Sequence, residues 1–209
     1  MTDTHTFVFA DLAGYTALTE AHGDEEAADA AAAFCAAIRA LLDEHGAEEV
    51  KTIGDAMLIR VPEPPQAAGL AERIVCEHGT RHRALAVRVG MHTGTAVQRG
   101  GDWFGAAVNL ASRVADVAGP GEVICTEATR ACVGPAVPLR ERGPAEVKNV
   151  SEPVLLYEFV LEGRTGPALP VDPVCHMAVD PEHAAVQLAH EGVTYYFCSE
   201  RCAAVWRPE

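Results

Sequence analysis

Positive charge is scarce in this sequence: 16 Lys and Arg stand against 30 Asp and Glu, a formal net charge of −14 over 209 residues. Such a chain lacks the clustered cations that hold DNA, RNA or anionic membrane non-specifically. A small anionic ligand stays open, because a few well-placed cations serve it. Long apolar runs are also missing, and none approaches the roughly 20 residues of a membrane span. The first residues, MTDTHTFVFAD, enter a strand-like segment directly, which predicts that there is no secretory leader. These absences predict a cytoplasmic protein. Internal repeats and long low-complexity tracts are absent as well. What is present is an apolar fraction of 49%, enough for a real core. The length suits one good-sized domain plus a small one.

Seven cysteines in a cytoplasmic chain point to free thiols or metal ligands rather than a disulfide framework. Cys35, Cys76, Cys125 and Cys132 sit in apolar contexts and read as buried small hydrophobes. Cys175, Cys198 and Cys202 instead crowd the C-terminal stretch.

FVFAD (7–11) reads as a buried strand, followed by one long or interrupted Ala-rich helix ending at Gly46. VKTIGDAMLIRV (50–61) reads as a hairpin turning at Gly54-Asp55. A helix after PEPP, a strand or hairpin over 85–100 and a helix over 104–118 come next, then a strand with a short helix and a closing strand. The order β-α-β-β-α-β with additions predicts an α+β fold, a ferredoxin-like sandwich whose antiparallel or mixed sheet carries helices on one face. Residues 1–162 form the first domain. GRTGPALP (163–170) reads as a linker. Residues 171–209 form a small Cys-containing α/β module, a size that commonly depends on a metal for stability.

Several polar residues interrupt apolar text. Taken singly, Asp11 reads as a helix N-cap, Asp55 as a turn residue, Asp102 as a cap or loop residue and Lys51 as a solvated strand lysine. Asn109 and Arg113, four apart, share a helix face. Adjacent strands could bring Asp11 and Asp55 together, and two carboxylates held close suit Mg²⁺.

Taken together, FVFADLAGYT, VKTIGDAMLI, RVGMHTG and GDWFGAAVNLASR, followed by GEVICTEATR and VKNVSEPVLLYEF, resemble the catalytic domain of the class III nucleotidyl cyclases over about residues 5–160. The resemblance implies that Asp11 and Asp55 bind two Mg²⁺ or Mn²⁺ ions, with a further contact from the Leu12 backbone carbonyl. It implies that Lys51 and Asp102 read adenine, since a guanylyl cyclase of this family shows acidic and small residues instead. Asn109 and Arg113 then orient the ribose and stabilise the transition state. Lys148 stands near the family's triphosphate-binding lysine, although Asn149 replaces the usual glycine after it. The implied activity is adenylyl cyclase: ATP to 3′,5′-cyclic AMP and pyrophosphate. The family places its site between two subunits, so one chain carrying every residue implies a homodimer and an inactive monomer.

VDPVCHMAVDP…GVTYYFCSERCAAVW is similar to the YHS domain, a small module related to metal-binding TRASH-type domains. Cys198 and Cys202 lie four apart, on one side of a helix, with Cys175 approaching from a loop. Three thiolates can hold Zn²⁺ or another thiophilic ion such as Cu⁺; buried or redox-active thiols are the other reading. His176 reads as exposed, with a fourth-ligand role as the alternative. Tyr195, Tyr196 and Phe197 read as core. The module then senses metal or redox state. Two other readings stay open: a catalytically silent nucleotide-binding regulator, and a metal-handling protein using the cyclase fold as a dimer scaffold.

Overall fold

The structure, a computed structural model, describes residues 4–78, 81–161 and 169–207. Most of the linker 163–170 therefore lies outside the described residues. The chain begins with β1 (Thr4–Leu12), α1 (Tyr15–His22) and α2 (Asp24–Leu42). The predicted Ala-rich helix is thus interrupted at Gly23. Ala27, Ala31, Phe34, Cys35, Ile38 and Leu42 recur at helical spacing along α2 and are buried. Its first turn carries Asp24, Glu25 and Glu26, which complement the helix dipole.

The hairpin β2 (Glu48–Ile53) and β3 (Ala56–Val61) follows, then α3 (Pro64–His78) and β4 (Val87–Thr95). A small ribbon of β5 (Val97–Arg99) and β6 (Asp102–Phe104) leads into α4 (Ala106–Val117). The domain closes with β7 (Val123–Thr126), α5 (Glu127–Val133), β8 (Leu139–Ala145) and β9 (Val154–Phe159). The main sheet has seven strands in the order β2-β3-β1-β4-β7-β9-β8. Its first four strands are paired antiparallel, and only the β4–β7 pair is parallel. This is the predicted ferredoxin-like core with additions.

The helices, however, cover both faces. Val8 and Ala10 of β1 share a buried cluster with α1, α2 and α3, while Phe7 packs with Trp103, Val108 and Ala111 on the α4 side. Central strands with two covered faces bury successive residues, so the sequence does not alternate there. Gly90 of β4 permits the close approach of α4: a Cβ there would lie 2.0 Å from the Ala115 nitrogen. The sequence reading also omitted β8, whose stretch LRERGPA is charged and contains Gly and Pro. As the outer strand of the sheet it tolerates both. Cys35 and Cys125 are buried as expected, but Cys132 is exposed. The buried face of α5 carries Thr129 and Val133, leaving Cys132 on the other side.

The C-terminal module contains the β10 (Val186–His190) and β11 (Val193–Phe197) hairpin and α6 (Glu200–Val205). Phe197 is fully buried, whereas Tyr195 and Tyr196 are partly buried against the core. The module is packed onto the larger domain. Cys175, Met177, Val179, Phe197, Cys198 and Cys202 belong to the same buried cluster as Leu18 and Phe34. The Arg83 N–H donates to the Ala178 carbonyl at 2.7 Å, and the Ala178 N–H to the Ala84 carbonyl at 2.8 Å. Among the described residues, no helix is long and apolar enough to cross a membrane.

Candidate active site and thiol cluster

Asp11 ends β1, where the antiparallel register sets it opposite Ala56 of β3 and Arg88 of β4. Asp55 occupies the β2–β3 turn, and its carbonyl accepts the Leu12 N–H at 3.4 Å. The predicted metal residues Asp11, Leu12 and Asp55 are thus brought together. The Asp55 carboxyl is pushed above its ordinary range, first by burial and then by the charge of Asp11. Crowded carboxylates call for positive charge. Arg88 supplies part of it, with Nε 2.7 Å from Asp11 Oδ2 and Nη2 on the same oxygen. Two carboxylates and a backbone carbonyl are hard oxygen donors, the set that fits Mg²⁺ or Mn²⁺. Arg88 escaped the sequence reading. Only the β1–β4 register, which lines it up with Asp11, could have signalled it.

Lys51 and Asp102 form a second group. The β2–β3 register shifts between Glu49 and Lys51, just before the lysine pairs with Leu58. Asp102 is presented by the β5–β6 ribbon, whose two-residue loop Gly100-Gly101 has φ of 60° and 82°. Positive φ at both loop positions is what the favoured tight hairpin requires. Lys51 Nζ lies 2.7 Å from Asp102 Oδ2. The lysine hydrogen bond holds the Asp102 carboxyl below its usual range, helped by the Trp103 N–H on Oδ1.

Asn109, Arg113 and Lys148 form the third. α4 buries Ala107, Val108, Ala111, Val114 and Ala115, which turns Asn109 and Arg113 to the opposite side. With Lys148, Asn149 and Val150 they line a hollow of about 460 Å³. Asn149 has φ of 63°, a left-handed conformation that asparagine tolerates better than most residues. Among the described residues, no hydrogen bond or ion pair joins one of these three groups to another.

The thiols form a separate cluster. Cys175 Sγ is 3.4 Å from Cys198 Sγ, which is 3.8 Å from Cys202 Sγ. All three cysteines are buried and free. The hydrogen bond between Cys175 and Cys198 holds the Cys198 thiol below its ordinary range and pushes Cys175 up. His176 takes no part: it is exposed, and its ring packs over Gly14, where an added Cβ would lie 2.8 Å from His176 Nδ1. The fourth donor is His22 of α1, with Nε2 at 3.3 Å from Cys198 Sγ and 3.4 Å from Cys202 Sγ. The sequence reading missed it. His22 followed by Glu26 at i+4 was a faint signal, with nothing local to tie it to cysteines more than 150 residues away.

The comparisons with known proteins agree with this architecture. Residues 1–162 match the adenylate and guanylate cyclase catalytic domain, and residues 171–207 match the YHS domain. A pH-sensitive adenylate cyclase of Mycobacterium tuberculosis is 37% identical over 131 residues, 63% of this chain and 33% of that protein. The chain spans less than half the length of the curated relatives it matches. Adenylate cyclases of Trypanosoma brucei, solved in their monomeric state, superpose with a TM-score of 0.70 at 24% identity, covering 85% of this chain and 94% of theirs. The guanylate cyclase domain of RhGC from Catenaria anguillulae, in complex with GTP, gives 0.69 at 19% identity, covering 76% and 96%. Sequence match and fold converge: the chain belongs to the adenylate and guanylate cyclase catalytic domain family, with a YHS domain following it.

Proposed function

We propose that the chain is an adenylyl cyclase that converts ATP to 3′,5′-cyclic AMP and pyrophosphate at the interface of a homodimer. The observation that carries the choice of ATP is the Lys51–Asp102 pair, 2.7 Å between Nζ and Oδ2. Adenine offers an acceptor at N1 and a donor at N6, which a lysine and an aspartate satisfy one each. Guanine reverses that pattern and would leave both side chains unpaired, a strong basis for discrimination.

Asp11, Asp55 and the Leu12 carbonyl would hold two Mg²⁺ or Mn²⁺ ions. When bound, these supply a lowered pKa for the ribose 3′-hydroxyl and neutralise phosphate charge. The chain's own residues do the positioning. Arg88, partly exposed beside the carboxylates, has N–H groups left for phosphate oxygens. Asn109 orients the ribose, and Lys148 takes the triphosphate. Arg113 meets the charge that builds on the α-phosphate as O3′–Pα forms and the bond to pyrophosphate breaks in line. The hydroxyl proton passes to solvent.

In the dimer, the carboxylates of one protomer face the adenine-reading pair and α4 of its partner. Exposed apolar residues support such a contact: Ile53 at 51%, Val97 at 44% and Phe104 at 52% exposed flank the Lys51–Asp102 region. The test is direct. Purified protein at concentrations favouring the dimer, given ATP with Mn²⁺ or Mg²⁺, releases cyclic AMP, and GTP gives far less product. Absence of product with either metal leaves the silent nucleotide-binding regulator as the reading. Equal turnover of GTP removes the role given to Lys51 and Asp102.

A further inference from the structure

We propose that Cys175, Cys198, Cys202 and His22 form one tetrahedral zinc site that clasps the C-terminal module to helix α1 of the catalytic domain. Nothing in the nucleotide chemistry requires this site, and it stands or falls independently of cyclase activity.

The four donor atoms lie within 4.8 Å of one another. A tetrahedral ion with Zn–S of about 2.3 Å and Zn–N of about 2.0 Å needs S···S edges of about 3.8 Å and S···N edges of about 3.5 Å. The shortest edges observed are 3.4 and 3.8 Å between sulfurs and 3.3 and 3.4 Å between sulfur and nitrogen. Four of the six edges already stand at the spacing of a coordination shell, and the other two, from Cys175 to Cys202 and to His22, are within 4.8 Å. Three thiolates and one imidazole form a closed structural set, with no position left for water.

The surroundings of the ligands fit the same role. His22 Nδ1 lies 3.0 Å from Glu26 Oε2, which leaves Nε2 with its lone pair toward the sulfurs. Glu26 is in turn held by Arg83, whose own backbone N–H binds the module at Ala178. On the module side, Asp172 is fully buried. Its Oδ1 accepts from the N–H groups of Val174 and Cys175, and its Oδ2 from that of Cys198. Asp172 therefore ties the loop bearing Cys175 to the strand end bearing Cys198 and keeps its oxygens out of the cluster. Ser199 caps α6 through the Cys202 N–H at 3.1 Å, fixing the third thiol. Each ligand is set by a supporting partner, Asp172 serving both Cys175 and Cys198.

His22 makes the site a clasp. It ends α1, and His176 of the module covers Gly14 at the other end of the same helix. The module therefore grips α1 at both ends, and the ion closes one of the grips.

The experiment uses the full chain purified under reductant and without chelator. Elemental analysis finds about one zinc per chain. X-ray absorption at the zinc edge finds three sulfurs near about 2.3 Å and one nitrogen near about 2.0 Å. Protein stripped of metal and titrated with Co²⁺ shows tetrahedral d–d bands with sulfur-to-metal charge transfer. His22→Ala weakens Co²⁺ and Zn²⁺ binding at least tenfold and alters the d–d bands, and Glu26→Gln weakens binding by about 10-fold. Asp55→Ala leaves the spectrum as in wild type. Stripped wild-type protein that binds neither ion overturns the site. A shell without nitrogen, or His22→Ala binding as wild type does, overturns the clasp. The absorption measurement needs no variant, so misfolding of His22→Ala cannot hide the answer.

Discussion

The thiol cluster brings four donor atoms within 4.8 Å of one another inside a single chain, whereas the residues proposed for the nucleotide chemistry stand in three groups. Asp11, Asp55 and Arg88 form one, Lys51 and Asp102 another, and Asn109, Arg113 and Lys148 the third. The cluster is buried and each of its ligands has a fixed supporting partner. The nucleotide groups lie at strand ends, on a ribbon and on the outer face of α4, all partly open to water. A closed site is ready at any protein concentration. On the proposed function, the open part-sites become a site only when a second copy supplies the missing residues. The same chain would then hold one constellation finished by folding and another finished by assembly.

That contrast can be broken experimentally. The largest effect is expected from Asp55→Ala and Arg113→Ala, each lowering cyclic AMP formation by about 10²-fold or more. Mixing equal amounts of the two variants restores about a quarter of wild-type activity, because half the dimers carry one intact site of two. A dead mixture removes the shared-site arrangement. Dilution separates the regions further: specific activity falls as dimers dissociate, while zinc content per chain stays constant.

Lys51→Ala comes next. It leaves Asp102 without its charge partner and strips one adenine contact, so the preference for ATP over GTP in kcat/KM narrows by about 10–100-fold. An unchanged ratio contradicts base reading by this pair. Removing the metal from the thiol cluster, with reductant present, lowers Tm by roughly 10 °C. That follows if binding contributes about 4 kcal/mol and each kcal/mol is worth about 2–4 °C at this size. Asp55→Ala leaves this loss unaltered.

The smallest effect concerns pH. Asp55 has its folded-state pKa raised, by burial and by Asp11. Over the interval between its unfolded and folded values, the native state binds more protons than the unfolded state. Stability of the metal-free protein therefore falls as pH rises through that interval and stays lower above it. At neutral pH without divalent ions, Asp55→Asn raises Tm by about 2–4 °C. Addition of Mg²⁺ stabilises the wild type and not the variant. A variant melting below wild type under these conditions contradicts the crowding of the two carboxylates.

How much of this was legible follows from how far each signal reaches along the chain. The βαββαβ core showed because each element carries its own period and turn residues. The coverage of both sheet faces did not, since it is fixed by α4 returning to Gly90 of β4. β8 lacks an apolar pattern because it lies at the edge of the sheet. The carboxylates, the Lys51–Asp102 pair and the α4 residues were recognisable as candidates through four ordered blocks. Arg88 and His22 were not, because each acquires its role only from a partner distant in sequence: Asp11 across a strand pair, and the thiols across a domain boundary. The exposure of His176 was anticipated; its contact with Gly14 was not.

The buried cluster that joins Leu18 and Phe34 to Phe197 and Cys202 also bears on inheritance. Two sequence families adjoin in this chain, yet the packing shows no seam between them. A recombination that carried residues 171–207 to another host would move three sulfurs and leave their imidazole behind. It would also bare apolar surface on both fragments. The two halves travel well only as a pair, so the trace of their partnership to seek in other genomes is a histidine and a glutamate four residues apart, near the end of the first helix of the catalytic domain.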